Sequence, residues 1–122
     1  MAAEASIQIL CELTGLGQLQ ELAEKFTSVS TPTRALYQYM VQATANTAEA
    51  LDVSDVATVD MLILKCVSND VDLDLDFDTA FDADCTVQEG EVAVIPTPAG
   101  TVYFKNQDND ETSTIEYLVI GR

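Results

Sequence analysis

Between Asn69 and Asp78 the chain reads N-D-V-D-L-D-L-D-F-D. Asp70, Asp72, Asp74, Asp76 and Asp78 alternate there with Val71, Leu73, Leu75 and Phe77. A period of two marks a strand with one wet and one buried face, whereas a helix would scatter the apolar residues around its circumference. Carboxylates two apart on a strand stand roughly 7 Å from each other. In water each such pair repels by about 0.6 kcal/mol before salt screening. Burying one apolar partner returns about 1.5–3 kcal/mol. Burial therefore outweighs repulsion, provided that a second layer covers the apolar face, and the stretch demands a sandwich or barrel around it.

The rest of the chain can supply that layer. It has 122 residues and 48% hydrophobic content, enough for the core of a single domain over residues 1–122. Within it, residues 48–122 read as the β core and 1–47 as an N-terminal part. Five basic residues face 21 acidic ones, for a net charge of −16. That balance argues against nucleic-acid phosphates and anionic membrane surfaces as partners. It fits a solvated acidic surface or a cationic partner. The start, M-A-A-E-A-S-I-Q-I-L, has no basic region and too short an apolar run for a signal peptide. The longest purely aliphatic run, Met61 to Leu64, is too short to span a bilayer.

Histidine is absent. This removes the Ser-His-Asp triad, the Cys-His dyad and every His-ligated metal site. The three cysteines, Cys11, Cys66 and Cys85, lack metal-ligand spacing. Cys11 and Cys66 lie in apolar runs and read as small buried hydrophobes, made in a reducing compartment.

In chain order, residues 5–13 place Ile7, Ile9, Cys11 and Leu13 on one face of a strand, which Gly15 and Gly17 end. Two readings stay open over 18–44. Leu19, Leu22, Ala23 and Phe26 have helical spacing, but Phe26, Thr27 and Val29 suit a strand. Thr31-Pro32 looks like a helix start, and Leu36, Tyr39, Met40 and Ala43 follow at helical spacing. Yet Tyr37, Tyr39, Val41 and Ala43 alternate with Gln38 and Gln42, as in a strand. From Asp52 onward the pattern is all β. Residues 59–67 are apolar on both parities, as in a strand covered on both faces. After the Asp-rich strand, Phe81 to Gln88 reads as a loop. Strands follow at 91–96, 101–106 and 113–120, separated by Thr97-Pro98-Ala99-Gly100 and by Gln107 to Thr112. The expected fold is an all-β antiparallel sandwich or jelly roll, with a short N-terminal helix as the open alternative.

Asp72, Asp74 and Asp76 are candidate Ca²⁺ ligands, because hard cations take several oxygens at once. Carboxylates along one strand form a row, however, and do not close a cage. Asp108, Asn109, Asp110 and Glu111 offer a second oxygen cluster, at residues common in hairpin turns. Asp78-Thr79-Ala80 is the nearest approach to an aspartic-protease triplet, with alanine where glycine is required. Tyr37, Tyr39, Tyr103 and Tyr117 could stack on a sugar, although no tryptophan accompanies them. Nothing here assembles a nucleophile with its base, so a non-enzymatic chain with no cofactor is expected.

The order of elements in residues 48–122 resembles that of small structural proteins of tailed bacteriophages. Ala48 to Val56, A-E-A-L-D-V-S-D-V, is similar to their acidic lead-in E-A-L-D-L-G-D-V. A buried strand (Met61 to Lys65) and an Asn69-Asp70 turn follow. Gln88 to Pro96 is similar to their G-E-x-A-x-x-P strand, and Pro98 to Tyr103 to their A-P-G-x-x-x-Y hairpin. Ile115 to Ile120 looks like their last strand. The Asp-rich strand departs from the mixed polar strand of these proteins, and residues 1–47 lie outside the resemblance. The resemblance implies an all-β virion component. It would be a decoration or cement protein contacting the major capsid protein, or a tail or head–tail connector subunit, and a homo-oligomer, most simply a trimer. It also favours strand over 33–44. A carbohydrate- or Ca²⁺-binding sandwich is the second class, and a hydrolase using two aspartates the third.

Overall fold

The computed structural model describes residues 3–42, 47–108 and 110–122. Ten strands carry the chain. They are β1 (Ser6–Leu13), β2 (Gln20–Thr27), β3 (Arg34–Gln42), β4 (Glu49–Ala50), β5 (Val59–Ser68), β6 (Val71–Phe77), β7 (Cys85–Val87), β8 (Val92–Pro96), β9 (Thr101–Asn106) and β10 (Ser113–Gly121). The described residues contain no helix. The helical alternative over 18–44 is therefore not taken where the chain is described; Ala43 and Thr44 lie outside the described residues. The apolar residues of 20–27 spend their spacing on pairing with β1, from Ser6 opposite Thr27 to Leu13 opposite Gln20.

Eight strands form two antiparallel four-stranded sheets, ordered β3-β10-β5-β8 and β4-β9-β6-β7. Four of their pairings are nested. β3 pairs with β10, β4 with β9, β5 with β8 and β6 with β7. The chain from 34 to 121 thus runs as one long ribbon, folded back at the β6–β7 turn and wound so that β10 also meets β5 and β9 also meets β6. The core lies between the sheets. Leu62, Leu64, Cys66, Ile115, Tyr117 and Val119 from the first meet Val71, Leu73, Val102 and Phe104 from the second. This sandwich-like architecture supplies the cover that the Asp-rich strand requires.

Local chemistry sets the turns. Asn69 takes a left-handed φ of 57° between β5 and β6, a conformation that asparagine tolerates better than most residues. Gly121 is held closely, because a Cβ there would lie 1.9 Å from the Thr58 carbonyl oxygen. That oxygen accepts the Arg122 amide at 2.9 Å, and the Thr58 amide returns a bond to the Arg122 carbonyl. Arg122 itself forks onto the buried carboxylate of Asp60, at 3.0 and 3.1 Å.

The two remaining strands, β1 and β2, make a hairpin outside the sandwich. Its base is seated. Ala5 and Ile7, with Ile9, pack on Met61, Ile63, Val94 and Ile120, on the outer face of the β3-β10-β5-β8 sheet. This seat explains why β5 is apolar on both parities. Beyond the base every residue from Leu10 to Thr27 is exposed. Cys11 lies in this part and is exposed, contrary to the buried position its apolar neighbours suggest. Cys66 is buried as expected, and burial pushes its thiol up to about 11.

Candidate functional site

The Asp-rich strand keeps its period only in part. Val71 and Leu73 face the core and are fully buried, and Leu75 is half-buried against the same cluster. An irregularity in the β6–β9 register then falls between Asp74 and Phe77. It turns Phe77 to the outer face, where its ring stacks on Tyr103 with centroids 3.7 Å apart. Phe77 is therefore not the fourth core residue that strict alternation expects.

Nor do all the acids face water. Asp74 is only 1% exposed. The segment after β6 folds back over it, and its two oxygens accept the Asp82 amide at 2.9 Å and the Asp76 amide at 3.1 Å. Phe81 of that segment meets Lys105 of β9, whose Nζ stands 4.8 Å from the ring centre. Asp84 accepts the Leu75 amide at 2.7 Å. The carboxylates of Asp74, Asp76 and Asp84 converge, with one oxygen from each within 4.8 Å of the others. The amides of Asp82 and Asp76 hold Asp74 below the ordinary carboxylate range. Asp76 is pushed the other way, first by its hydrogen bond with Asp74 and then by the charge of Asp84.

Of the sequence candidates, only Asp74 and Asp76 meet here. Asp72 is turned to Thr86, whose hydroxyl donates to it at 2.6 Å. Asp108 and Asp110 sit on the β9–β10 turn, where Asp108 accepts the Asp110 amide at 2.9 Å. Asn106 donates to the carbonyls of Asp108 and Glu111, so this turn is tied internally. Asn109, the fourth member of that cluster, lies outside the described residues. Asp84 is not legible as a partner, because it stands in what reads as a loop. Residues 85–87 are in fact a strand that pairs with β6 and brings Asp84 alongside. The tyrosines scatter. Tyr37 and Tyr39 are exposed on β3, Tyr103 is on the opposite outer face, and Tyr117 is buried with its hydroxyl donating to the Asp52 carbonyl at 2.6 Å. They form no common platform.

The second notable surface is apolar. On the outer face of the β3-β10-β5-β8 sheet, the cross-strand row Tyr37–Leu118–Ile63–Val94 lies beside the row Tyr39–Glu116–Lys65–Val92. Tyr37 is 59% exposed, Tyr39 55% and Val92 55%. The Tyr37 hydroxyl donates to Glu116, which raises the phenol and lowers the carboxyl. The hairpin adds Leu10, Leu13, Leu16, Leu19, Leu22 and Phe26, all exposed. Isolated exposed leucines are ordinary, but so many on one short hairpin, spread over both of its faces, mark an interaction surface. No family model matches the chain, and the search of curated proteins gives no match either.

Proposed function

We propose that this chain is a non-enzymatic structural subunit of a virus particle, of the kind that decorates and stabilises a phage capsid by contacts between subunits. The observation that carries this reading is the apolar surface: a projecting hairpin studded with leucine, next to a sheet face bearing Tyr37, Tyr39, Val41 and Val92. Such a surface is what an assembling subunit needs and what an isolated one hides. Two further features support it. The order and texture of residues 48–122 resemble those of small phage structural proteins. The nested pairing, wound into two four-stranded sheets, fits the double Greek-key path of a jelly roll, an architecture that viral capsid domains share with lectins and cupins. On this reading the partners are further copies of the chain, a trimer in the simplest case, and the major capsid protein, and the chain resides in the virion. A tail or connector subunit would use the same kind of contact in far fewer copies.

The test is the stoichiometry of the protein in purified particles, by quantitative mass spectrometry. A copy number comparable to that of the shell subunit supports decoration. A small ring-like number supports a connector, and absence from particles refutes the reading.

Asp74, Asp76 and Asp84 give a second reading, a Ca²⁺-binding module. Both oxygens of Asp74 and one of Asp84 already accept main-chain amides, which accounts for their convergence without an ion. Calorimetric titration with Ca²⁺ is expected to show no saturable heat, and a saturable one-site isotherm would favour the module.

A further inference from the structure

The hairpin uses only half of its apolar side. Ile7 and Ile9 are seated on the outer face of the chain's own sheet. Cys11 and Leu13 continue the same side of β1, with Leu22 of β2 opposite Cys11. They have run past the sheet and are exposed. At about 3.3 Å per residue, Leu10 to Leu13 overhang by about 13 Å before the turn begins. A two-stranded ribbon is marginal in water by itself, so this overhang needs cover.

The receiving face is also half used. The hairpin base covers Met61 and Ile120, while a trough lined by Tyr37, Ile63, Lys65, Val92, Glu116 and Leu118 lies open beside it. The trough shares Ile63 with the surface that already accepts Ile7 and Ile9, and adds Val92, Leu118 and the Tyr37 ring to it, with Lys65 and Glu116 between them. The strand at its border, β3, is nine residues long, pairs only with β10 among the described residues, and carries one charged side chain, Arg34. An edge of that length and composition lacks the charges that natural edges use to stay unpaired.

Charge marks the face that two copies of an assembly subunit can share. Seven of the 21 acidic residues fall between 70 and 84, on β6 of the other sheet and on the segments flanking it. The trough holds one lysine and one glutamate, and the arm brings Glu12, Glu21 and Glu24 against Lys25. For two copies at −16 each, this is the surface on which approach is least opposed.

We propose that the hairpin arm of one copy lies on the open trough of a second copy, continuing the contact that its base makes at home. The inference rests on the reading of the chain as an assembly subunit. Each copy donates an arm and receives one, so the assembly closes when every arm is seated.

The experiment is sedimentation velocity on the full chain beside Leu13→Glu and Leu22→Glu. Both side chains are exposed, so neither change perturbs the sandwich, and far-UV circular dichroism with thermal melts checks this. The full chain is expected as a single oligomer, with the concentration for half-assembly raised by about tenfold or more in either variant. In a second measurement, Val92→Cys in a Cys85→Ala background is treated with a short bismaleimide. A covalent link is expected between Cys11 of one chain and the thiol introduced at position 92 of another, and it disappears when Cys11→Ala is added. A full chain monomeric at all concentrations overturns the inference. So does an oligomer unaffected by both arm variants, or capture of the arm only by a different protein. Presence in particles with arm-independent assembly would sink the arm exchange and leave the structural role standing. Arm exchange in a protein absent from particles would do the reverse.

Discussion

Asp74 and Asp76 are neighbours on one strand with opposite electrostatic fates. Asp74 is stabilised as an anion by two main-chain amides, so its folded-state value lies below the unfolded one. Its contribution to stability is present above the ordinary carboxylate value, near 3.8, and is lost as pH falls through the lowered folded value. Asp76 lies above its unfolded value, so its ionisation weakens the fold at neutral pH, and that penalty vanishes in acid. Asp74→Asn is therefore expected to lower Tm at neutral pH and Asp76→Asn to raise it. Both differences should shrink toward about pH 3. Thermal melts across that range check the opposite signs; equal effects of one sign would mean that the two acids act only as general surface charge. Gly121 is constrained sterically. Its substitution by alanine sets a methyl 1.9 Å from the Thr58 oxygen and should cost about 1–3 kcal/mol, read by urea denaturation. Neither effect leaves a trace in the residue order, since both depend on which backbone lies opposite.

Strands are legible wherever alternation is strict and both neighbours in the sheet cooperate. β9 matches the expected 101–106, and β10 extends the expected 113–120 by one residue. β6 is legible as a strand but not as an irregular one, because a register shift depends on its partner β9 and leaves no local mark. The consequence is measurable. Leu73→Ala should cost about 2–5 kcal/mol, as for a fully buried leucine. Phe77→Ala should cost well below the roughly 3–5 kcal/mol of a buried phenylalanine, since its ring is half-buried on the outer face against Tyr103. Unfolding in urea separates the two, and a Phe77 loss equal to that of a core phenylalanine would restore strict alternation. β2 is ambiguous for a different reason. Leu19, Leu22 and Phe26 satisfy a helical stripe and an arm with little to pack on equally well, and only pairing with β1 decides.

At the scale of the molecule, the hydrophobic and electrostatic terms are divided between surfaces. The acids are densest on β6 and the turns, while the outer face of the β3-β10-β5-β8 sheet carries mostly apolar side chains beside Lys65 and Glu116, and the hairpin mixes exposed leucines with Glu12, Glu21, Glu24 and Lys25. The total of −16 can be read from composition, but not this division, which follows from the winding that sends β6 and β5 to different sheets. The division fixes how assembly should respond to salt. If copies associate through apolar arms, the net charge only opposes them, and its reach falls from about 30 Å at 0.01 M ionic strength to about 3 Å at 1 M. Added sodium chloride should then tighten self-association, in the sense that the half-assembly concentration in sedimentation velocity falls steadily across that range. If ion pairs involving Lys25, Lys65 or Arg34 held the copies together, screening would weaken the contact instead, and the half-assembly concentration would rise. The sign of the salt dependence thus separates a contact made by burial from one made by charge.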